Sequence, residues 1–188
     1  MLLKRRPPRI ENRPADTKKG FEHLDSDAVA VLRWLKANSV EFVLVGPVAE
    51  AIRGRTGKRG PVSIVPAPYS RNLERLARAL DSAHACIRLD GASITGEADT
   101  TPTKVTAEKL ARGQLWTLRC GSHDLDVEGH TPGIPSYQDL LYEASRFDPA
   151  ADVSAEVASP EDIEHYAHVR RTGTAPEIRI TRQSTPAA

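Results

Sequence analysis

The sequence is poor in aromatic residues and cysteine, and it contains no long apolar run. Only 5% of the 188 residues are Phe, Trp or Tyr, so a core must rest mainly on Val, Leu, Ile and Ala. The two cysteines, Cys86 and Cys120, lie far apart and without metal-ligand spacing, which favours a reducing compartment. No stretch approaches the ~20 apolar residues that span a bilayer. We therefore expect a cytoplasmic protein with no membrane partner.

Charge of either sign is not in excess, because 26 basic residues face 25 acidic ones and the formal net charge is +1. Such a balance gives no global attraction to nucleic acid or membranes. With 39% hydrophobic and 27% charged residues, the composition is typical of a soluble globular protein, and the length suits one domain. We expect that domain at residues 24–171, between a disordered basic tail at 1–23 and a flexible tail at 172–188.

The basic tail holds seven Lys or Arg residues and three prolines within its first 20 positions. Such a segment cannot bury a core. It could contact nucleic acid, although no aromatic residue is interleaved for base stacking. A solubilising tail or a misplaced start codon is the preferred interpretation.

The chain is organised around residues 41–66. Residues 42–45 form a short β-branched run that ends at Gly46 and predicts a buried strand. Pro47 suits the first turn of a helix that continues to residue 53. A basic loop then leads to a second predicted strand at 62–65. Strand, glycine turn, short helix and strand form one unit.

Periodicity and turn residues place further elements on both sides of this unit. Helices are expected after cap candidates at 25–27, from the N-cap Ser70 to residue 80, at 106–111, at 137–145 and from Pro160 onward. Strands are expected at 84–89, 115–120, 123–128 and 153–157, the last at the sheet edge. The fold class is therefore α/β (α+β), a small mixed sheet flanked by helices. Residues predicted to be buried are Leu32, Leu35, Val43, Val45, Ile52, Ile64, Leu73, Leu76, Leu80, Leu118 and Leu125.

This pattern resembles the nucleotidyltransferase fold of the DNA polymerase β superfamily, and most closely its small bacterial members of abortive-infection and toxin–antitoxin systems. In that family a strand ends in Gly-Gly or Gly-Ser, a helix follows, and a loop leads to a strand carrying Asp-x-Asp. Residues 46–65 follow that spacing. A helix at 70–80, a strand pair at 114–128 ending in Asp-Leu-Asp, and the segment 157–162 extend the resemblance over roughly residues 25–170.

The resemblance implies an altered metal site. In active relatives the Asp-x-Asp pair and a third carboxylate on the neighbouring strand hold two Mg²⁺ ions. Here Pro61 and Ser63 occupy the two Asp positions, and Asp126 matches the third carboxylate. Pro47 also replaces a residue whose N–H can meet a phosphate, and Ala167 lies near the position of a frequent lysine. We expect Ser63 and Asp126 on adjacent strands with side chains on one side of the sheet.

The expected function is that of a degenerate nucleotidyltransferase that retains a cleft for a nucleotide or a protein. No catalytic residue is intact, Asp126 is vestigial, and no metal is expected. The predicted nucleotide pocket comprises Gly46, Ser63, Asp124 and Asp126, although an acidic face such as that of Asp124 and Asp126 is usually solvated. Two alternatives remain: an active, Mg²⁺-dependent enzyme that modifies a protein, tRNA or small-molecule hydroxyl, and an antitoxin-like interaction module.

Overall fold

A computed structural model describes residues 20–21, 24–55, 59–88, 104–130 and 132–173 of the chain. The predicted tails therefore lie almost entirely outside the described residues, as does the segment between residues 89 and 103. The rest is a mixed sheet with helices packed against it, which confirms the predicted α/β class.

The described residues form thirteen elements, which are numbered here in chain order. They are α1 (Ser26–Ala37), β1 (Phe42–Val45), α2 (Gly46–Ile52), β2 (Val62–Pro66), α3 (Ser70–Ser82), β3 (Cys86–Ile87), α4 (Ala107–Ala111), β4 (Trp116–Cys120), β5 (His123–Val127), α5 (Tyr137–Glu143), β6 (Ser145–Ala150), β7 (Val153–Val157) and α6 (Pro160–Thr172). The predicted central unit is confirmed as β1, α2 and β2.

The seven described strands form one sheet in the order β3-β4-β5-β2-β1-β7-β6. Strand β1 runs antiparallel to β2 and parallel to β7, and β2 runs parallel to β5. The pairs β3–β4, β4–β5 and β6–β7 are antiparallel. The central unit thus lies in the middle of the sheet, and the predicted hairpin of β4 and β5 adds to one side of it.

The prediction that residues 153–157 form an edge strand is wrong, because β7 lies between β1 and the outer strand β6. Sequence analysis did not anticipate β6 and instead extended the helix α5 to Ser145. The segment alternates poorly, since four of its six residues are not buried, and its pairing is irregular between Phe147 and Ala150. An edge strand of this kind lacks the periodic signal of a strand with a buried face.

Two further boundaries differ from the prediction. Ser70 is the first residue of α3 and not its cap, because Tyr69 takes the N-cap position and makes no side-chain cap hydrogen bond. Strand β3 begins at Cys86 and not at residue 84, because His84 adopts a φ of 50° in the turn that follows α3, and the predicted end at residue 89 lies outside the described residues. By contrast, Asp25 caps α1, its carboxylate accepting a hydrogen bond from the Asp27 N–H at 3.1 Å.

The hydrophobic core follows the predicted periodicity. All eleven residues that were expected to be buried are buried, and Leu76, Leu118 and Leu125 are completely inaccessible. Trp34 also lies in this core at 2% exposure. Since aromatic residues are few, aliphatic side chains supply most of the buried surface.

Candidate functional site

The glycine turn after β1 lies directly against Ser63. Gly46 has a φ of 70°, and a Cβ added to it would lie 2.8 Å from the Ser63 Oγ. Ser63 is fully buried, and its hydroxyl has no hydrogen-bond partner among the described residues. Two members of the predicted pocket are therefore adjacent, and only a glycine fits at residue 46.

Ser63 and Asp126 occupy paired positions on the parallel strands β2 and β5. Paired residues project their side chains to the same side of a sheet, so the expected relationship is confirmed. Both residues are completely inaccessible to solvent. Pro61 directly precedes β2, where its missing N–H removes no ladder hydrogen bond.

Asp126 is held by two arginines that the sequence analysis did not identify. Arg88 Nη2 lies 3.0 Å from Asp126 Oδ1, and Arg170 Nη2 lies 2.7 Å from Oδ2. Arg88 follows β3, and Arg170 belongs to the last turn of α6. The expectation of a solvated acidic face is wrong for Asp126, because these guanidinium groups satisfy its carboxylate inside the protein.

The two arginines extend into a larger group of charges. Arg88 Nη1 lies 3.4 Å from Asp124 Oδ2. Arg119 Nε donates a 2.9 Å hydrogen bond to the other carboxylate oxygen of Asp124, Oδ1. Arg170 Nε lies 3.4 Å from Glu128 Oε1. We call the set Arg88, Arg119, Arg170, Asp124, Asp126 and Glu128 the arginine–carboxylate cluster. Its three guanidinium groups balance its three carboxylates when all are ionised.

Glu128 is a member of the cluster whose carboxyl group has a pKa near neutral pH. Burial raises the pKa of its carboxyl group to about 7, the negative charge of Asp126 adds to the rise, and Arg170 opposes it. The Glu128 side chain is 8% exposed, which agrees with burial as the main cause. Near neutral pH the cluster can therefore gain or lose one proton.

The residues at the Asp-x-Asp positions do not fit a pair of Mg²⁺ ions. Pro61 offers no ligand, Ser63 offers a neutral hydroxyl, and both carboxylate oxygens of Asp126 already face guanidinium groups. Among the residues that the structure describes, no three His, Cys, Asp or Glu side chains are grouped to hold a metal ion. Magnesium needs several hard oxygen ligands before it gives up water.

A cleft of about 670 Å³ lies beside the cluster, between α1, α2 and the starts of β2 and β5. Its apolar side includes Val31, Val48 and Val62. Its polar lining consists of Arg55, Arg59, Arg88, Asp25, Asp27, Asp124, Ser122 and His123. Of the predicted pocket residues Asp124 lines the cleft, whereas Gly46, Ser63 and Asp126 are not among its lining residues. The volume is in the range of small-molecule sites.

His123 also lines the cleft, although it was not among the predicted pocket residues. It begins β5, is 3% exposed and lines the cleft, with Nδ1 3.9 Å from Asp27 Oδ1. Within the part of the chain that the structure describes, neither ring nitrogen has a hydrogen-bond partner. Pro47 and Gly60 also line the cleft and lie close together, because a Cβ added to Gly60 would lie 2.7 Å from the Pro47 Cγ.

No protein-family model matches this sequence, and a search of curated proteins finds no relative. The resemblance to nucleotidyltransferases therefore remains a prediction from the residues quoted above. No helix in the described ranges combines the length and the apolar character needed to cross a membrane.

Proposed function

We propose that this chain is a nucleotidyltransferase-like protein that binds a nucleotide in its cleft and does not transfer nucleotides. The observation that carries the proposal is the double salt bridge of Asp126 to Arg88 and Arg170. A carboxylate that matches a metal ligand in the family pattern is here neutralised by side chains of the same chain.

Electrostatics explains why this arrangement replaces metal binding. Two guanidinium groups, at 3.0 Å and 2.7 Å, are paired with the same oxygens that Mg²⁺ would have to coordinate at about 2.1 Å. A divalent ion would have to displace them and would be repelled by them in a buried, weakly screened environment. The arginines thus supply the positive charge that the carboxylate needs, and they supply it permanently.

The register of β2 and β5 supports the relation to nucleotidyltransferases. Ser63 stands opposite Asp126, as the second Asp of the family motif would stand near the third carboxylate on the neighbouring strand. The glycine turn at Gly46 abuts the same serine. The family geometry is therefore compatible with this chain, whereas its chemistry is not.

The cleft supports a binding role. It combines an apolar side from α1 and α2 with arginine and aspartate side chains, a combination that suits the base, sugar hydroxyls and phosphates of a nucleotide. The antitoxin-like alternative depends on the basic tail, which lies outside the described residues. The active-enzyme alternative is an outcome of the following test.

Calorimetric titration of the wild-type protein with Mg²⁺ and with ATP tests the proposal, alongside transfer of label from each of the four common nucleoside triphosphates. We expect ATP binding in EDTA, no increase in affinity with Mg²⁺ and no labelled product. The Asp126→Asn variant is the matched control for chemistry at this carboxylate. Transfer by the wild type would refute the proposal, and its loss in Asp126→Asn protein that remains folded under the assay conditions would establish the enzyme alternative. The absence of nucleotide binding would also refute the proposal.

A further inference from the structure

The buried His123 imidazole is one of the polar groups that have no hydrogen-bond partner among the described residues. A buried ring nitrogen without a hydrogen bond is unfavourable, and native proteins nearly always satisfy such atoms. Both ring nitrogens of His123 are in this condition within the described residues, and His123 is among the residues that line the cleft. A ligand in the cleft is the group best placed to satisfy it.

Two arginines on the same cleft have guanidinium groups available for a ligand. The Arg59 side chain is 90% exposed and its nearest carboxylate is that of Asp25 at 3.6 Å. The Arg55 side chain is 58% exposed and lies 3.9 Å from Glu50. Both distances exceed that of a good charge-assisted hydrogen bond. Arg88, by contrast, is engaged with Asp124 and Asp126.

His123 and Arg59 each approach a carboxylate at the start of α1. Asp25 approaches Arg59, Asp27 approaches His123, and the two aspartates are joined by the cap hydrogen bond at 3.1 Å. Each carboxylate is therefore opposed by a cationic or ionisable group, and Arg55 adds a further positive charge to the lining. The positive charge on this side of the cleft can therefore attract an anion, and the two carboxylates keep their partners.

We propose that His123, Arg59 and Arg55 form a metal-free phosphate site that binds the phosphate groups of the nucleotide. That the bound phosphates belong to a nucleotide rests on the proposed function. In its doubly protonated form the imidazole donates from both nitrogens, so Nδ1 can face Asp27 while Nε2 meets a phosphate oxygen. The arginines bind further oxygens through their planar forks. The glycine turn, which carries Pro47, contributes no N–H at that residue.

Three probes separate the parts of the ligand: ADP, inorganic pyrophosphate and adenosine, each titrated in EDTA. We expect pyrophosphate to compete with ADP. The paired change Arg55→Ala with Arg59→Ala should weaken ADP binding by at least roughly tenfold and leave adenosine binding unchanged, since only charge-assisted contacts are lost. The paired change Arg71→Ala with Arg78→Ala, at two exposed positions of α3, is the matched loss of two charges away from the cleft.

Substitution of the histidine gives an independent readout. His123→Leu should keep or raise the melting temperature, because it removes an unsatisfied buried polar group. The same variant should weaken ADP binding by roughly tenfold, and His123→Gln, which retains a donor, should bind better than His123→Leu. A lower melting temperature with unchanged ADP affinity would show that ordered water satisfies the ring, and it would overturn the phosphate site.

The outcomes distinguish this site from the broader proposal. ADP binding that pyrophosphate does not displace, or that the arginine and histidine variants leave within about twofold of the wild type, would overturn the phosphate site alone. Pyrophosphate binding that these variants weaken, with no binding of any nucleotide, would support the phosphate site and overturn the nucleotide-binding function.

Discussion

Ser63 and Asp126 face the same side of the sheet from adjacent parallel strands, and solvent reaches neither side chain. Under the proposed resemblance to nucleotidyltransferases, these two positions correspond to metal-binding acids, and here they hold a neutral hydroxyl and an arginine-paired carboxylate. The positive charge around Asp126 comes from Arg88 and Arg170. The cluster therefore resembles a structural ion-pair network more than a reaction centre.

Replacement of Asp126 by Asn should destabilise the protein strongly. It would remove a fully buried charge and leave Arg88 and Arg170 inside with less compensation. We expect a loss of about 3 kcal/mol in the free energy of unfolding, measured by urea denaturation. Asp124→Asn is the matched control, because that side chain is 33% exposed, and it should cost less than about 1 kcal/mol. Equal costs would contradict a central role for Asp126.

Replacement of Gly46 by Ala should cost more than the same change at Gly54. Both glycines have positive φ, 70° and 86°, so each variant bears the left-handed strain of about 1–2 kcal/mol. Only at Gly46 would the new Cβ also meet Ser63, at 2.8 Å from its Oγ, whereas Gly54 has nothing within 4 Å. Thermal melting of the two variants measures the difference. Ser63→Gly combined with Gly46→Ala should recover part of the melting temperature that Gly46→Ala loses. An unchanged melting temperature in the double variant would argue against a clash between the new Cβ and Ser63.

Stability should depend on pH through Glu128. Burial raises its pKa to about 7 from an ordinary value of 4.5, so the folded protein binds a proton that the unfolded chain releases. The free energy of unfolding should therefore fall as the pH rises between these two values, by on the order of 3 kcal/mol in total, and then level off. Urea denaturation across this range measures the slope.

Glu128→Gln provides the control for this titration, because glutamine resembles the protonated acid at every pH. The variant should match the wild type at about pH 4.5 and exceed it in stability at about pH 8, where the wild-type carboxylate is charged. A slope of the same size in the variant would assign the pH dependence to another group.

Truncation of a core leucine should show how much the aliphatic core contributes. Leu76 is completely buried on the inner face of α3, so Leu76→Ala should lower the free energy of unfolding by about 2–5 kcal/mol. Leu141, on α5, is 37% exposed, and Leu141→Ala should change it by no more than about 0.5 kcal/mol. Chemical denaturation measures the free energy of unfolding of both variants. Similar losses would contradict the expectation that the buried Leu76 contributes more to stability than the exposed Leu141.

Local sequence patterns were sufficient for much of the fold. The short β-branched runs of β1 and β2, the glycine at residue 46 and the Gly-Ser turn between β4 and β5 specify strands and turns through interactions between near neighbours. The helical spacing of Leu73, Leu76 and Leu80 likewise fixed which side of α3 is buried. The expectation that Ser63 and Asp126 share one side of the sheet was also correct, and it rested on the proposed resemblance to nucleotidyltransferases, which placed the two residues on neighbouring strands.

Tertiary structure decided the partners of the charges and the edges of the sheet. Arg88 and Arg170 reach Asp126 only because the strand order places β3 and β5 close together and α6 over the same side, and no local period encodes contacts so distant in sequence. Strand β6 was missed because an edge strand with few buried residues has no clear alternation. The buried position of His123 likewise arises from packing against α1, since a histidine at the start of a strand carries no burial signal of its own.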